Sequence, residues 1–334
     1  MKRFLISMLA IACLATACSS DDEPIIPESG VGHIEFNCLA NSEIGDVITR
    51  TEQPTFNLAT AGVTIPDPAN LILTINGSYT KNGMVTPWSW PTASGEAQPA
   101  DDEIIVAPKT VADFESENPA IEAGAYDVEQ KKYLNSYEAA VTYGDPNAEG
   151  ENCPYFMGKS ASFSVYPGET KEVTFSATLA NSCFNLSVTE WMLKYYDNIE
   201  LTIHTANNEF TFALNETTAI SSLIFVKSGQ QLSFSGSAVK SQTGTTVEFP
   251  ETPIGVQLAA NTHYNIIVNH DTAGGGNLQI MFGDTFVEVE PVEVELNPDV
   301  NGNGNSGNGE NTDDPVGEDD ADGEGNNTQT PDGN

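Results

Sequence analysis

Histidines and paired carboxylates, the side chains that most often carry catalysis, show no catalytic spacing here. His33, His204, His263 and His270 are the four histidines, and none lies in an H-E-x-x-H pattern. His263 and His270 flank one predicted strand, which separates them by about 20 Å, too far to share a metal ion. No G-x-S-x-G elbow is present, and the abundant acids single out no pair. We therefore predict no catalytic residue, no cofactor and no enzymatic activity.

One metal-binding pattern lies near the C-terminus. Asp299, Asn301, Asn303, Gly304 and Glu310 satisfy the calcium-loop pattern D-x-[DN]-x-[DN]-G-x₅-E, whose alternating oxygen ligands wrap the ion. No predicted helix flanks the pattern, and a tract so rich in Asn and Gly matches it by chance. At most weak calcium binding is expected from these residues.

Two tryptophans are candidates for glycan recognition. Trp88 and Trp90 stand at alternate positions between Pro87 and Pro91, so in an extended segment their indoles face the same way. Such a pair forms a platform on which a sugar ring stacks. The alternative is that one or both indoles plug the end of a β-sandwich.

Thr272 is a candidate modification site. Asp271-Thr272-Ala273 resembles an acceptor sequence for bacterial O-glycosylation. The glycine-rich residues that follow predict an exposed turn, so Thr272 is expected to be accessible.

The cysteines suggest a lipid anchor, not a metal site. Cys18 follows Ala15-Thr16-Ala17, a set of small residues that resembles a lipobox, and the acidic stretch Ser19–Glu23 comes next. Cys38, Cys153 and Cys183 do not have zinc-site spacing. Their alternatives are a Cys153–Cys183 disulfide or three buried free thiols.

The N-terminus has the pattern of an export signal. Lys2 and Arg3 precede an apolar run, Phe4–Ala17, which is shorter than the roughly 20 residues that span a bilayer. We predict a signal peptide over 1–17, lipidation of Cys18 and an acidic tether over 18–30. The alternatives are an ordinary cleaved signal and lipidation at Cys13.

Charge excludes nucleic acid as a partner. Without Lys2 and Arg3 the chain has 10 bases and 48 acids, a net charge of −38. Such a chain repels phosphate backbones and anionic surfaces. Residues 298–334 are mostly Asn, Gly, Asp, Glu, Thr and Pro with hardly an apolar side chain, so a disordered acidic tail is predicted there.

Short alternating strands dominate the region between the two ends. Ser162–Tyr166 and Glu172–Ala177, joined at Pro167-Gly168, predict a β-hairpin. Weak helix signals occur only at Val111–Glu117 and Trp191–Tyr196. The pattern predicts an all-β fold of one or two antiparallel β-sandwich domains, divided as 31–179 and 180–297.

A family resemblance is carried by motifs between residues 123 and 190. Gly124-Ala125-Tyr126-Asp127-Val128, Pro154-Tyr155-Phe156-Met157-Gly158, Gly168-Glu169-Thr170 and Leu179-Ala180-Asn181 follow one another. This order resembles an uncharacterised family of Bacteroidota surface lipoproteins, a domain of unknown function similar in architecture to fimbrillin-type, transthyretin-like sandwich proteins. The motifs are strand and turn residues, so the resemblance implies a fold and transfers no catalytic role.

These observations together predict a non-enzymatic lipoprotein of the outer membrane that faces the cell exterior. The function expected from the resemblance is that of an adhesive or fimbria-associated structural module, with fimbrial subunits as partners. The alternative is a surface glycan-binding protein of a polysaccharide-uptake system that uses Trp88 and Trp90.

Overall fold

The computed structural model describes residues 30–47, 55–91, 107–270, 277–282 and 285–293. By contacts the chain divides into two compact units, 1–294 and 295–334, and all of the described residues belong to the first. Among them no helix is long and apolar enough to cross a membrane.

Strands account for most of the described residues, as the all-β prediction requires. They are β1 (Val31–Ala40), β2 (Glu43–Val47), β3 (Thr55–Asn57), β4 (Ile72–Lys81), β5 (Met84–Trp90), β6 (Ile121–Glu122), β7 (Tyr126–Asp127), β8 (Lys132–Tyr133), β9 (Asn135–Tyr143), β10 (Phe156–Lys159), β11 (Thr170–Leu179), β12 (Ser182–Val188), β13 (Tyr196–His204), β14 (Glu209–Leu214), β15 (Ile224–Val226), β16 (Gln231–Lys240), β17 (Thr246–Gln257), β18 (Thr262–His270), β19 (Leu278–Phe282), β20 (Thr285–Val289) and β21 (Val292–Glu293).

Two short α-helices confirm the weak helix signals. They are α1 (Val111–Glu117) and α2 (Glu190–Tyr195), and a 3₁₀ turn covers Pro68–Asn70. α1 begins with a capping box, in which the Thr110 hydroxyl accepts the N–H of Asp113 and the Asp113 carboxylate accepts the N–H of Thr110. Thr189 caps α2 through its hydroxyl alone, which accepts the N–H of Met192.

The first half of the described chain is built on a seven-stranded sheet in the order β5-β4-β9-β10-β11-β1-β6. Its long strands alternate between buried and exposed residues, so each has one face toward a core. Phe114 on α1 contacts Phe36 of β1 at 5.2 Å and Trp90 of β5 at 4.9 Å between ring centroids. Since β1 and β5 lie toward opposite edges, the sheet curls and α1 fills the space between those edges.

The second half is a β-sandwich. One sheet has the order β15-β12-β18-β19-β20, with β2 and β3 added at β18, and the other has the order β14-β13-β16-β17-β21. Their inward side chains form a single apolar cluster in which residues such as Leu186, Ile266, Leu201 and Phe234 are fully buried. The burial of this cluster stabilises the packing of one sheet on the other.

The chain passes from the first half to the second twice, after β1 and after β11, and it returns once, between β3 and β4. The two outward crossings lie near each other. β1 pairs with β11 in parallel, and the segments that follow them, β2 and β12, both pair in parallel with β18. Asn181 lies at the second crossing, where its amide accepts the N–H of Tyr155 at 3.2 Å and donates to the carbonyl of Cys153 at 2.9 Å. Periodicity predicts strands but not these parallel pairings, and the boundary near residue 180 stays a prediction.

The predicted hairpin of residues 162–166 with 172–177 is wrong. β11 pairs with β10 and β1 instead, while Phe163 makes an isolated bridge to Tyr137 of β9. The side chain of Asn135 holds this segment beside β9, since its amide accepts the N–H of Val165 at 2.8 Å and donates to the same residue's carbonyl at 2.9 Å. One main-chain bridge and the side-chain hydrogen bonds of Asn135 therefore take the place of a strand ladder here.

Motif glycines occupy positions where a side chain does not fit. A Cβ on Gly158 would lie 2.6 Å from the carbonyl oxygen of Ser176 on the neighbouring strand. Gly124 has a φ of +71°, in the left-handed region that favours glycine. The motifs between residues 123 and 190 thus specify close strand approach and turns.

Candidate functional site

The two tryptophans expected to form a platform both pack toward the first core. Trp90 is 4% exposed, and its Nε1 donates to Glu117 at 3.1 Å. Trp88 is half-buried and meets the ring of Tyr137 edge-on at 5.6 Å. The two indoles therefore do not form an exposed pair, and their position is that of the alternative, in which they plug the sandwich.

Several predicted sites lie outside the described residues. These are the lipidation site Cys18, the glycosylation site Thr272 and the calcium-loop residues Asp299, Asn301, Asn303 and Glu310. Within the described ranges no three histidine, cysteine or acidic side chains are grouped so that they could hold a metal ion. The acidic tail predicted over 298–334 also lies outside those ranges.

Cys38, Cys153 and Cys183 are free thiols, so the disulfide considered from the sequence is not formed. Cys38 and Cys183 are buried, but Cys153 is only half-buried, which corrects the expectation that all three are buried. Burial raises the pKa of the Cys38 and Cys183 thiols, and for Cys183 the charge of Asp46 acts in the same direction. Both thiols are thus protonated near neutral pH, which suits packing and not reactivity.

A buried polar group, which we call the His263 clamp, holds β2 in the sheet of the second half through Asp46, His263 and Asn185. Nδ1 of His263 lies 2.8 Å from Oδ1 of Asp46 on β2, and Nε2 lies 2.6 Å from Oδ1 of Asn185 on β12. Phe56 of β3 stacks on the imidazole with ring centroids 3.8 Å apart. His263 is 4% exposed and Asp46 is 7% exposed.

Burial lowers the pKa of His263, and the hydrogen bond and charge of Asp46 oppose this effect without reversing it. The imidazole is therefore neutral at pH 7, with Nδ1–H donating to Asp46. A half-turn of the Asn185 amide places its NH₂ group where it can donate to Nε2.

A second polar group, the Glu149 clamp, joins the first half to the second through Glu149, Thr205, Asn208, Lys227 and Gln230. Oε2 of the Glu149 carboxylate accepts from the Thr205 hydroxyl and the Asn208 amide, each at 2.8 Å. Oε1 accepts from the Gln230 amide at 2.6 Å and from the N–H of Lys227 at 3.0 Å. Burial acts to raise the pKa of Glu149, but these four hydrogen bonds together hold it below its ordinary value.

β14 is an unprotected edge in the second half. It pairs with β13 on one side, and no described strand lies on the other. The N–H of Thr205 bonds the carbonyl of Asn208 across the β13–β14 turn, so in the alternating antiparallel pattern the backbone of Phe210 and Phe212 faces β13. The backbone groups of Thr211 and Ala213 consequently face the open side.

The other edge strands of the described part are shorter or blunted. β5 is longer than β14 but contains Pro87, which has no N–H to donate. β6 and β21 have two residues each, β15 has three and β20 has five. Natural sheets block unwanted pairing with short edges, prolines and lysines, and β14 has six residues with neither proline nor lysine.

An aromatic ladder lies at the far end of the second half, away from the crossings. Trp191 on α2 is 46% exposed and stacks with Tyr195 at 6.3 Å, and Tyr195 stacks with His270 at 4.4 Å. Nζ of Lys194 lies 4.9 Å from the centre of the Trp191 indole. This indole is far more exposed than the one at position 90.

Sequence reasoning missed both clamps, β14 as an open edge and the ladder. Only the ladder left a signal, because Trp191, Lys194 and Tyr195 have the i, i+3 and i+4 spacing that brings side chains together on a helix. Asp46 and His263 are separated by 217 residues, so only the fold reveals their contact.

Comparison with known proteins places the chain in a family without an assigned role. Residues 121–298, more than half of the chain, match the model of "Domain of unknown function (DUF4493)". The match confirms the resemblance expected from the motifs between residues 123 and 190. None of the curated proteins matches the chain.

Several solved structures are distantly similar. A candidate cell adhesion protein from Bacteroides eggerthii is 9% identical over 81% of this chain and 96% of its own, with a TM-score of 0.35. A fimbrial assembly protein from Parabacteroides distasonis is 9% identical over 78% and 99%, with a TM-score of 0.33. The tip fimbrial protein from Porphyromonas gingivalis is 6% identical over 66% and 94%, with a TM-score of 0.30.

Proposed function

Since the chain belongs to the DUF4493 family, for which no function is assigned, we propose from its own structure that it is a non-enzymatic, surface-exposed module of a fimbria-like assembly. A strand of a neighbouring subunit adds to its β14 edge. Main-chain hydrogen bonds supply the affinity in this kind of recognition, and alternate side chains supply the specificity.

The observation that carries the proposal is the composition and geometry of β14. Its open side presents the N–H and carbonyl groups of Thr211 and Ala213, and no proline or lysine blocks the approach of another strand. Phe210 and Phe212 on the inner face are half-buried and pack on Phe184. An added strand would cover the remaining apolar surface of these two rings.

The test removes one N–H from the open side without breaking the β13 ladder. In Ala213→Pro the lost N–H is one that points away from β13, and a proline in this position is tolerated on an edge strand. Ala213→Ser is the matched control, because it changes the side chain and keeps the N–H. We expect the proline variant to unfold at nearly the same temperature but to disappear from filaments sheared from cells, while the serine variant stays in them.

Failure of both the normal protein and the control to co-purify with any filament would contradict the proposal. So would retention of Ala213→Pro in filaments at the level of the control. Circular dichroism of the purified variants separates a loss of assembly from a loss of fold.

Membrane attachment through acyl chains on Cys18 is part of the same proposal. The support is the sequence alone, in which small residues precede Cys18 and a polar acidic stretch follows it. Two or more acyl chains give stable anchoring, which the strongly negative chain could not achieve by charge. Mass spectrometry of the mature N-terminus should find acylated Cys18, and an unmodified Cys18 would contradict the anchor.

Glycan binding is a second candidate function, supported by a different residue from those the sequence suggested. Trp191 is the indole with a large exposed fraction, and Tyr195 beside it is nearly parallel to it. Aromatic faces of this kind stack on sugar rings. Retention on a neutral polysaccharide gel that Trp191→Ala abolishes and Trp88→Ala preserves would support this candidate; equal retention of both variants would count against it.

A further inference from the structure

Four segments of the first half meet at one end of its sheet, which we call the tether end: residues 30–33, 79–86, 122–134 and 165–171. The strand register brings them together. Met84 pairs with Lys81 in the β4–β5 hairpin, and Tyr79 pairs with Asn135, the first residue of β9. The N–H of Gly168 bonds the carbonyl of Val31 at the start of β1. The crossings to the second half lie at the opposite end of these strands.

Exposed apolar side chains are concentrated at the tether end. Met84 is 68% exposed and Val85 is 72% exposed in the β4–β5 hairpin, and Val128 is 76% exposed in the β7–β8 hairpin. Val31 is 42% exposed and Tyr166 is 41% exposed. Half of the large exposed apolar residues in the described part therefore lie at one end of one sheet, at strand ends and in turns, with no described neighbour to cover them.

Three tyrosines pack together at the tether end. The ring of Tyr133 lies 5.1 Å from that of Tyr126 and 5.7 Å from that of Tyr166, edge to face in both contacts. Tyrosine combines an apolar ring with a polar hydroxyl, and it is enriched where protein meets the interface between lipid and water.

The charge of the tether end differs from that of the rest of the molecule. Lys81, Lys131, Lys132 and Lys171 are four of the ten bases that remain after removal of the signal. The same four segments contain four acids, so the tether end has no net charge in a chain of −38. It is therefore a part of the molecule that an anionic lipid surface does not repel, and long lysine side chains can reach the headgroups from it.

The tether also enters at this end. Residue 30 begins the described chain there, and only the twelve residues 18–29 separate it from the proposed lipid on Cys18. Twelve extended residues span at most about 40 Å. Resting on the proposed anchor, we propose that the tether end is a membrane-docking surface, in which Met84, Val85 and Val128 enter the headgroup region of the lipid layer that holds the acyl chains.

Docking in this way fixes the orientation of the molecule. The strands of the first half would run away from the membrane, and the second half, with β14 and the Trp191 ladder, would face outward. A flexible anchor without docking would leave the molecule free to tilt and would present both ends equally.

The first test uses the unaltered, lipidated full chain on vesicles of phosphatidylethanolamine and phosphatidylglycerol. An amine-reactive reagent modifies exposed lysines, and mass spectrometry gives the extent at each one. We expect modification of Lys131 and Lys132 to fall severalfold on vesicles, while Lys194, which is exposed at the far end, reacts equally with and without lipid.

A second measurement reports depth directly. Val85→Cys or Val128→Cys, in a chain whose half-buried Cys153 is replaced by Ser, carries a fluorophore that brightens in apolar surroundings. Ile220→Cys is the matched control, since Ile220 is 60% exposed in the second half. The fluorophore should brighten and shift to shorter wavelength at positions 85 and 128 on vesicles and remain unchanged at position 220.

Each outcome distinguishes docking from anchoring. Flotation with the vesicles together with full labelling of Lys131 and Lys132 would overturn the docking and leave the anchor intact. A chain that does not float at all would overturn both. Protection of these lysines in the absence of lipid, rising with protein concentration, would assign the surface to a second copy of the chain and overturn the docking.

Discussion

The His263 clamp holds β2 in the sheet of the second half and the Glu149 clamp joins the first half to the second, and the two clamps have opposite surroundings. His263 and Asp46 are almost completely buried, and an aromatic ring covers the imidazole. Glu149 is half-buried and satisfies four donors on two turns of the second half. The first clamp is shielded from water, whereas the second holds together turns that water still reaches.

This difference decides what the loss of each clamp should cost. When a buried polar group loses its partner, the atoms left behind are neither hydrogen-bonded nor hydrated, and the free energy of unfolding falls by their full desolvation cost. A half-buried group can instead form a hydrogen bond with water. We expect the His263 clamp to matter more for stability per residue, although Glu149 makes more hydrogen bonds.

His263→Ala should give the largest effect. The change strands the Asp46 carboxylate in the interior and removes the ring on which Phe56 stacks, so we expect a loss of about 4 kcal/mol in the free energy of unfolding. Urea unfolding measures it. His204→Ala is the control, because His204 is half-buried and bonds Ser235, and its loss should cost about 1 kcal/mol. Equal losses in the two variants would contradict the comparison.

Glu149→Ala should come next, with a loss of about 2 kcal/mol in the free energy of unfolding, because water replaces some of the four hydrogen bonds that the carboxylate accepted. Glu149→Gln keeps one oxygen acceptor and should cost about half as much. The same urea titration checks both. A larger loss for Glu149→Ala than for His263→Ala would reverse the order of the two clamps.

The pH dependence of stability should separate the clamps. The folded-state pKa of His263 lies below its ordinary 6.5, so the unfolded chain binds more protons and this contribution to stability falls as the pH drops below 6.5. The folded-state pKa of Glu149 lies below its ordinary 4.5, so its contribution is full above 4.5 and falls only at more acid pH. Urea midpoints of His263→Ala and Glu149→Gln, each subtracted from those of the unaltered protein, should show these two windows; a single shared window would contradict them.

Thr205→Val should have the smallest effect. It removes one of the four donors to Glu149, and its cost should be about 0.5–1 kcal/mol because three donors remain. Thr205→Ser keeps the hydroxyl and should be near neutral. Thermal unfolding, followed in parallel for the two variants, measures the difference.

The sequence predicts the fold class well and the strand partners poorly. Alternation in β1 and β11 marks both as strands, and the signals at 111–117 and 191–196 mark both helices, because these features depend on neighbours in the chain. The parallel pairing of β1 with β11 depends on contacts over more than a hundred residues, and the false hairpin at 162–177 shows how local pattern misleads there. The side chain of Asn135 decides that segment, and no periodicity reveals it.

The candidate sites were harder to predict for a related reason. Alternate spacing correctly puts Trp88 and Trp90 on one face, but it cannot say whether that face meets water or a core. The exposed indole, Trp191, lies on α2, whose sequence is that of an ordinary amphipathic helix and does not single this residue out. An open edge such as β14 can be identified only after the pairing of all the other strands is known.

The two outward crossings, after β1 and after β11, also have a mechanical consequence. A pull between residue 30 and the outer end of the second half would load β1 along its length while β11, parallel to it, is held from the other side through β12. Hydrogen bonds across parallel partners then share the load at once in shear instead of opening one after another. A subunit with these strand connections would resist mechanical unfolding by a force along its strands, such as the drag of flowing liquid.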